Sequence, residues 1–278
     1  ANFYVYRGDD VTEDPHVDIG GDMLLGVLPN GTSADVALLE LTNGDMNVSG
    51  ALRVGDSSSV SVGTGSELNA QIFECPSADQ FQLAGGDFYS PLCTLGPGTF
   101  SISDSSMAQI HSLGGSSSIE VGVDGSACSL IFGSGDSGSS IAQSILVGGS
   151  TGSTSGLYFN PGASLNLSGN LELSATGVAS LSSNSLYASS VEVNSGAGLY
   201  LFKSEANAFH VNGLEGSLIS VGTDSVVQAD YLNFDDIACR SSSKIQALEY
   251  LTFEMFGQTT ITVDAPCDSG GVMQSPNV

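Results

Sequence analysis

Along most of the chain, two apolar residues separated by a single intervening residue form a unit that keeps returning. It reads LEL at 39–41, VSV at 60–62, FQL at 81–83, FSI at 100–102, IEV at 119–121 and LIF at 130–132. It continues as LYF at 157–159, LNL at 165–167, LEL at 171–173, VEV at 191–193, LYL at 199–201, FHV at 209–211 and LTF at 251–253. Period-two alternation predicts short strands with one face buried. Gly, Ser, Asn and Asp fill the gaps, which predicts that each strand ends in a tight turn.

The spacing of the units adds more. Leu41, Val62, Leu83, Ile102 and Val121 follow one another at 21, 21, 19 and 19 residues. A second track, Leu52, Ile72, Leu92, Ile110 and Leu130, has steps of 20, 20, 18 and 20. Two interleaved tracks with one period predict an all-β chain, a single-stranded parallel β-helix (β-solenoid) of about 20 residues per turn. One turn is too small to bury a core, so equivalent Leu, Val, Ile and Phe residues stack into interior ladders. Counted to Val263, the period gives about 11 turns, and parallel crossovers favour a right-handed coil. A β-sandwich also explains alternation, but it does not predict the shared period.

The periodic core covers 36–263. Residues 1–35, a strand plus an acidic segment, and residues 264–278 read as non-repetitive terminal caps. The stretch GSGDSGSSIAQSILVGGSTGSTSG at 133–156 is rich enough in Ser and Gly for a linker, yet its IAQSILV argues that the coil runs through it. KIQALEYLTFEMF at 244–256 is the best helix candidate, although its LTF also suits a strand.

On these ladders the chain resembles the right-handed parallel β-helix proteins: surface adhesins, autotransporter passengers and pectate-lyase-like coils. The resemblance is one of periodicity and points to no specific family. GGSSSI at 114–119 and YFN at 158–160 are only partial echoes of the GGAI and FxxN elements of adhesin repeats.

Charge narrows the partners. Thirty acidic and five basic residues give a net charge of −25 over 278 residues. Nucleic-acid binding needs clustered Lys or Arg, and the five cations are scattered. Docking on an anionic membrane is disfavoured for the same reason, and no apolar run is long enough for direct membrane insertion as a helix. A start at Ala1 and sequons at Asn30, Asn47 and Asn166 suit a secreted, extracellular glycoprotein.

Candidate chemistry is sparse. No other cofactor is expected, but calcium suits the acidic segment, with Asp9, Asp10, Asp14 and Asp18 as oxygen ligands. The spacing is not that of an EF-hand, and a solvated acidic loop explains the segment as well. Of the five cysteines, Cys75 and Cys93 are 18 apart, near one turn, and are candidates for a cross-turn disulfide. Cys239 and Cys267 are candidates for closing the C-terminal end, which leaves Cys128 as a small core residue. Asp235 and Asp236 echo the acid pair of galacturonases. Neighbouring strand residues face opposite ways, however, and a polyanionic sugar needs more positive charge than this chain has.

The reading is therefore not an enzyme but an extracellular structural protein, a subunit of a self-assembling fibre, filament or coat. Phe3, Tyr4, Val5 and Tyr6 form an aromatic strand that covers an open edge, either of their own coil or of the next subunit in head-to-tail self-association. The alternatives are a monomeric adhesin or glycan-binding module, a carbohydrate-active β-helix enzyme and an ice-binding solenoid using TTITV at 259–263. Arg7-Gly8-Asp9 also matches the integrin-binding tripeptide, a signal of only three residues.

Overall fold

The computed structural model describes residues 2–6, 15–27, 36–133, 139–148, 153–214, 216–234, 237–239, 244–252 and 272–274. The chain is all-β, 65% strand, wound as a parallel β-solenoid of about 21 residues per turn. It makes about 9 turns rather than the 11 counted from the sequence. The ladder beyond Thr252 is described only at Val272–Gln274, which pairs with the start of Lys244–Thr252.

Three strand stacks make up each turn. Face A holds the strands Leu38–Thr42, Ser59–Val62, Phe81–Ala84, Thr99–Ser103 and Ser118–Val121, continued by Ser144–Val147 and Asn170–Leu173. Face B runs through the first halves of Asp45–Val54, Glu67–Cys75, Asp87–Leu95 and Met107–Gly115. It goes on through Ser129–Phe132, Gly156–Phe159, Val178–Ser182, Gly198–Phe202 and Leu218–Val221. Face C is made of the second halves of those four long strands, then Ser139–Ala142, Ser164–Leu167 and the first half of Ser185–Val193.

Long strands turn a corner by a slip in alternation. In Glu67–Cys75 the inward residues are Leu68 and Ala70, then Phe73 and Cys75. The step of three between Ala70 and Phe73 re-aims the second pair, so one strand serves two faces. From Ser185 onward the same slip lies between faces C and A, as in Glu205–Gly213, where Ala208 is followed inward by Val211.

The other corners are turns, and their serines are structural. Ser66 Oγ accepts from Gly44 N at 3.4 Å, Ser106 Oγ from Gly85 N at 2.7 Å and Ser140 Oγ from Leu113 N at 3.1 Å. Ser204 Oγ accepts from Asn184 N and Ser225 Oγ from Ser204 N, each at 3.2 Å. All of these serines are buried. Ser66, Ser204 and Ser225 give a partner to an amide at a turn, Ser106 adds a second acceptor to the Gly85 amide that also reaches Ser103 O, and Ser140 joins two neighbouring strands of face C. A residue in the left-handed region turns the chain at such corners, and Asn43 at φ 50° stacks under Gly65 at φ 66°. A Cβ on Gly65 would come within 2.7 Å of Asn43 Oδ1. Two serine hydroxyls, Ser117 Oγ and Ser217 Oγ, are buried without a partner.

Two expectations are corrected, and the linker alternative at 133–156 is set aside in favour of the continuous coil that IAQSILV pointed to. The segment 244–256 is not helical where it is described: Lys244–Thr252 is a strand paired in parallel with Val226–Phe234. The coil runs on through 133–156, since Ser144–Val147 pairs on both sides, with Ser118–Val121 and with Asn170–Leu173. The N-terminal segment, expected to be non-repetitive, supplies strands to all three faces. Asn2–Tyr6 stacks on Leu38–Thr42, His16–Ile19 on the first half of Asp45–Val54, and Met23–Leu25 on its second half. NFYVY is thus joined to its own coil.

Candidate functional site

The outward residues of a parallel coil line up in columns, one residue per turn. On face A, Glu40, Ser61, Gln82, Ser101 and Glu120 stand in register. Farther along the same column Glu172 faces Glu192 directly, and Asn194 Nδ2 donates to Glu172 Oε1 at 3.0 Å. A shallow groove of about 500 Å3 crosses this face beside Asp79, Gln82, Thr99, Ser101 and Glu120.

Face B begins acidic. Asp45, Glu67 and Asp87 occupy one column on successive turns. Two of them have local partners: Asn69 Nδ2 donates to Glu67 Oε1 at 2.6 Å and Met107 N to Asp87 Oδ1 at 3.2 Å. Among the described residues, no group of three His, Cys, Asp or Glu side chains is gathered as a metal site.

Of the calcium candidates, Asp9, Asp10 and Asp14 lie outside the described residues, as does Arg7-Gly8-Asp9. Asp18 sits on His16–Ile19, exposed. Its carboxylate accepts from Asn47 Nδ2 at 3.2 Å and lies 3.0 Å from His16 Nε2. The Asn47 bond, followed by the histidine, holds its pKa below the usual carboxylate value. Asp22, at the corner of the first turn, accepts from Ala51 N at 2.9 Å and from Arg53 Nη1 at 3.3 Å. Arg53 reaches the other way to Glu74 at 2.7 Å, so one guanidinium ties three consecutive turns on face C.

The expected Cys75–Cys93 bridge is corrected. Both are free, buried thiols. The local register step is 20 residues, not 18, which pairs Cys93 with Phe73 and Cys75 with Leu95. The two sulfurs are therefore diagonal rather than stacked. Burial pushes the Cys75 thiol up to about 11, and burial with the neighbouring Cys75 pushes Cys93 higher still. Such thiols are poor nucleophiles. Cys128 is also free and buried. Cys239 lies on the strand Ile237–Cys239 opposite Val221, and Cys267 is outside the described residues.

The sequons are unlike one another. Asn30 lies outside the described residues, Asn47 is half-buried in a strand, and Asn166 is exposed on face C between Ile141 and Tyr187. Asp235, Asp236 and TTITV fall outside the described residues. Phe3 and Tyr4 are exposed, at 38% and 51%.

A feature that the sequence reading passed over is the row of rings on face B. Tyr158 and Tyr200 share one column, with Ser180 on the turn between them. Each tyrosine is preceded two positions earlier by a glycine, Gly156 or Gly198, and its ring folds back over that glycine. A Cβ on Gly198 would come within 2.6 Å of the Tyr200 ring. Phe202 extends the apolar surface, 49% exposed, with Lys203 Nζ 5.5 Å from its ring centroid. The signal was in plain view as GLYF and GLYL, 42 residues apart.

No family model, curated protein or solved structure matches this chain. No helix among the described residues is long and apolar enough to cross a membrane.

Proposed function

We propose that the protein is a structural subunit of an extracellular fibre, filament or coat, assembled by stacking coils head to tail. The observation that carries this reading is the N-terminal end of the coil. Asn2–Tyr6, His16–Ile19 and Met23–Leu25 each pair with the following turn, and among the described residues none has a strand partner on its other edge. Three parallel strand edges at one end match the chemistry of the opposite end, where among the described residues Ile237–Cys239 and Val272–Gln274 are the last strands of their ladders. Joining the two continues the ladder without a new kind of contact, and a heterologous contact of this kind propagates rather than closes. The exposed Phe3 and Tyr4 add apolar area at that end.

Self-repulsion works against stacking in a chain of net charge −25. Assembly is therefore promoted by salt, which screens charges beyond roughly 8 Å at 0.15 M. Electron microscopy and sedimentation across protein and salt concentration test the reading. The expected result is unbranched filaments of uniform width whose critical concentration falls as salt rises. Deleting residues 1–6, which removes one of the three edges, raises that concentration. A monodisperse monomer at high protein concentration in both low and high salt overturns the proposal.

A further inference from the structure

We propose that the tyrosine row of face B is a binding surface for a neutral, extended β-1,4-linked polysaccharide, lying along the coil axis with its sugar rings stacked on Tyr158 and Tyr200. The surface is a lateral face, so this inference stands apart from end-to-end stacking.

Four observations carry it. The first is spacing. Tyr158 and Tyr200 are two turns apart in one column, and adjacent parallel strands lie about 4.8 Å apart, which puts the rings about 9.5 Å from each other. An extended β-1,4-linked chain of hexopyranoses flips alternate residues, so every second sugar presents the same face. Its disaccharide repeat is close to two strand spacings. Sugars n and n+2 then meet Tyr158 and Tyr200, and sugar n+1 passes over Ser180.

The second is the attitude of the rings. Each tyrosine ring folds back over Gly156 or Gly198, and in the proposed complex a ring laid down in this way meets a sugar with its face. The axial C–H groups of a pyranose form an apolar patch that suits the negative face of an aromatic ring. The glycines are part of the device: any other residue there would push the ring off the sheet.

The third is the polar rim. Beside Tyr200 and Phe202 a groove of about 400 Å3 is lined by Ser180, Ser182, Ser220 and Thr223. Hydroxyls that both donate and accept suit the equatorial hydroxyls of a sugar. Apolar walls with a few convergent polar groups are what a ligand groove needs.

The fourth is charge. In a chain of net charge −25, the four strands Gly156–Phe159, Val178–Ser182, Gly198–Phe202 and Leu218–Val221 contain no charged residue. Among the described residues the outward acids on the strands of face B lie toward its N-terminal end, at Asp18, Asp45, Glu67 and Asp87. The neutral stretch coincides with the rings, and it fits an uncharged chain better than a polycation, for which the acidic end would serve.

The test is isothermal titration with cellohexaose and chitohexaose, with cellobiose and polygalacturonate as controls. At least one hexasaccharide is expected to bind. The disaccharide, too short to span both rings, binds at least about tenfold more weakly, and the polyanion does not compete. Tyr158→Ser and Tyr200→Ser place on those turns the residue that Ser180 already supplies in the same column, so the coil is kept; thermal melting checks this. Each lowers affinity by about tenfold or more, whereas Tyr200→Phe stays within about threefold and Gln109→Ala, on the same face toward the N-terminus, changes nothing. Absence of binding by both hexasaccharides at millimolar concentration overturns the proposal, as does binding that survives the Tyr158→Ser/Tyr200→Ser double variant. Equal affinity for cellobiose and cellohexaose overturns the two-ring register.

Discussion

The turns of residues 67–132 and those after 163 share one coil but place their phenylalanines differently, inside it in the first region and, among the described residues, outside it in the second. In the N-terminal turns Phe73, Phe81, Phe88 and Phe100 are buried and touch one another. Phe73 and Phe81 have centroids 4.6 Å apart, and Phe81 stacks on Phe100 at 4.7 Å with 10° between planes. In the C-terminal turns the described core is aliphatic, built of residues such as Leu165, Leu173, Leu181, Val193, Leu201 and Val221. There the rings of Tyr187, Tyr200, Phe202 and Phe209 are exposed. The corner that a bent strand turns also differs: between faces B and C in the first region, between C and A in the second. A coil tolerates either arrangement because each face asks only for two inward apolar side chains per turn. The period fixes the backbone, and what fills the interior or decorates the outside is free to change along the axis.

That contrast can be broken most forcefully at its aromatic centre. Phe81 contacts Phe73, Phe88 and Phe100, so Phe81→Ala removes the ring that the cluster shares. It is expected to cost about 3–5 kcal/mol in urea unfolding monitored by circular dichroism. The opposite exchange is smaller. Leu181→Phe puts a larger ring at a fully buried aliphatic position and is expected to destabilise by about 1–3 kcal/mol. If Leu181→Phe were neutral, the two interiors would be interchangeable and the contrast would be accidental.

A corner serine tests what the two regions have in common. Ser204 Oγ accepts from Asn184 N at 3.2 Å and donates to Phe202 O at 2.8 Å. Ser204→Ala leaves a buried amide without its acceptor and is expected to cost about 1–3 kcal/mol. Ser117 Oγ, in the N-terminal region, has no partner. Ser117→Ala removes an unsatisfied hydroxyl and is expected to leave the melting temperature unchanged or raise it. Equal losses from the two substitutions would mean that the hydroxyl bonds do not determine corner stability.

Much of this architecture was legible in the sequence because the inward pairs repeat at nearly constant distance, as Val60 and Val62 do with Phe81 and Leu83. The first turn escaped because long connections stretch its steps: Asn2 pairs with Leu38 and His16 with Asp45, offsets of 36 and 29 residues. The helix expected at 244–256 has a physical origin as well. Where a strand bends between faces, the inward step changes from two to three, as from Ala208 to Val211, and an apolar step of three imitates a helical face. The cysteine pairing failed by two residues, because a period near 20 does not say whether the local step is 18 or 20. The tyrosine row was present as letters but not as a site. Tyr158 and Tyr200 occupy the middle of apolar-x-apolar units, a position that is simply outward until stacking shows which outward residues share a column.

The smallest expected effect lies at the first turn, where the coil is held from outside instead of by a ring cluster. Asp22 has its pKa held below the usual carboxylate value, chiefly by the hydrogen bond from Ala51 N and then by Arg53. A carboxyl depressed in the folded state stabilises the fold fully above the unfolded pKa, and that contribution is lost as pH falls through the folded value. The window therefore lies below about pH 4. Asp18, also depressed, by Asn47 and His16, acts in the same direction on the same turn. Protonating the remaining carboxylates of a strongly acidic chain relieves repulsion and has the opposite sign, so absolute melting curves mix the two. The informative quantity is the difference between the wild type and Asp22→Asn. It is expected to favour the wild type slightly at pH 6 and to vanish by pH 2. Hydrogen exchange at the Ala51 amide, read over the same range, should localise the loss to the first turn. A difference that is independent of pH would show that Asp22 holds Ala51 through shape rather than charge, and that both regions of the coil rest on packing alone.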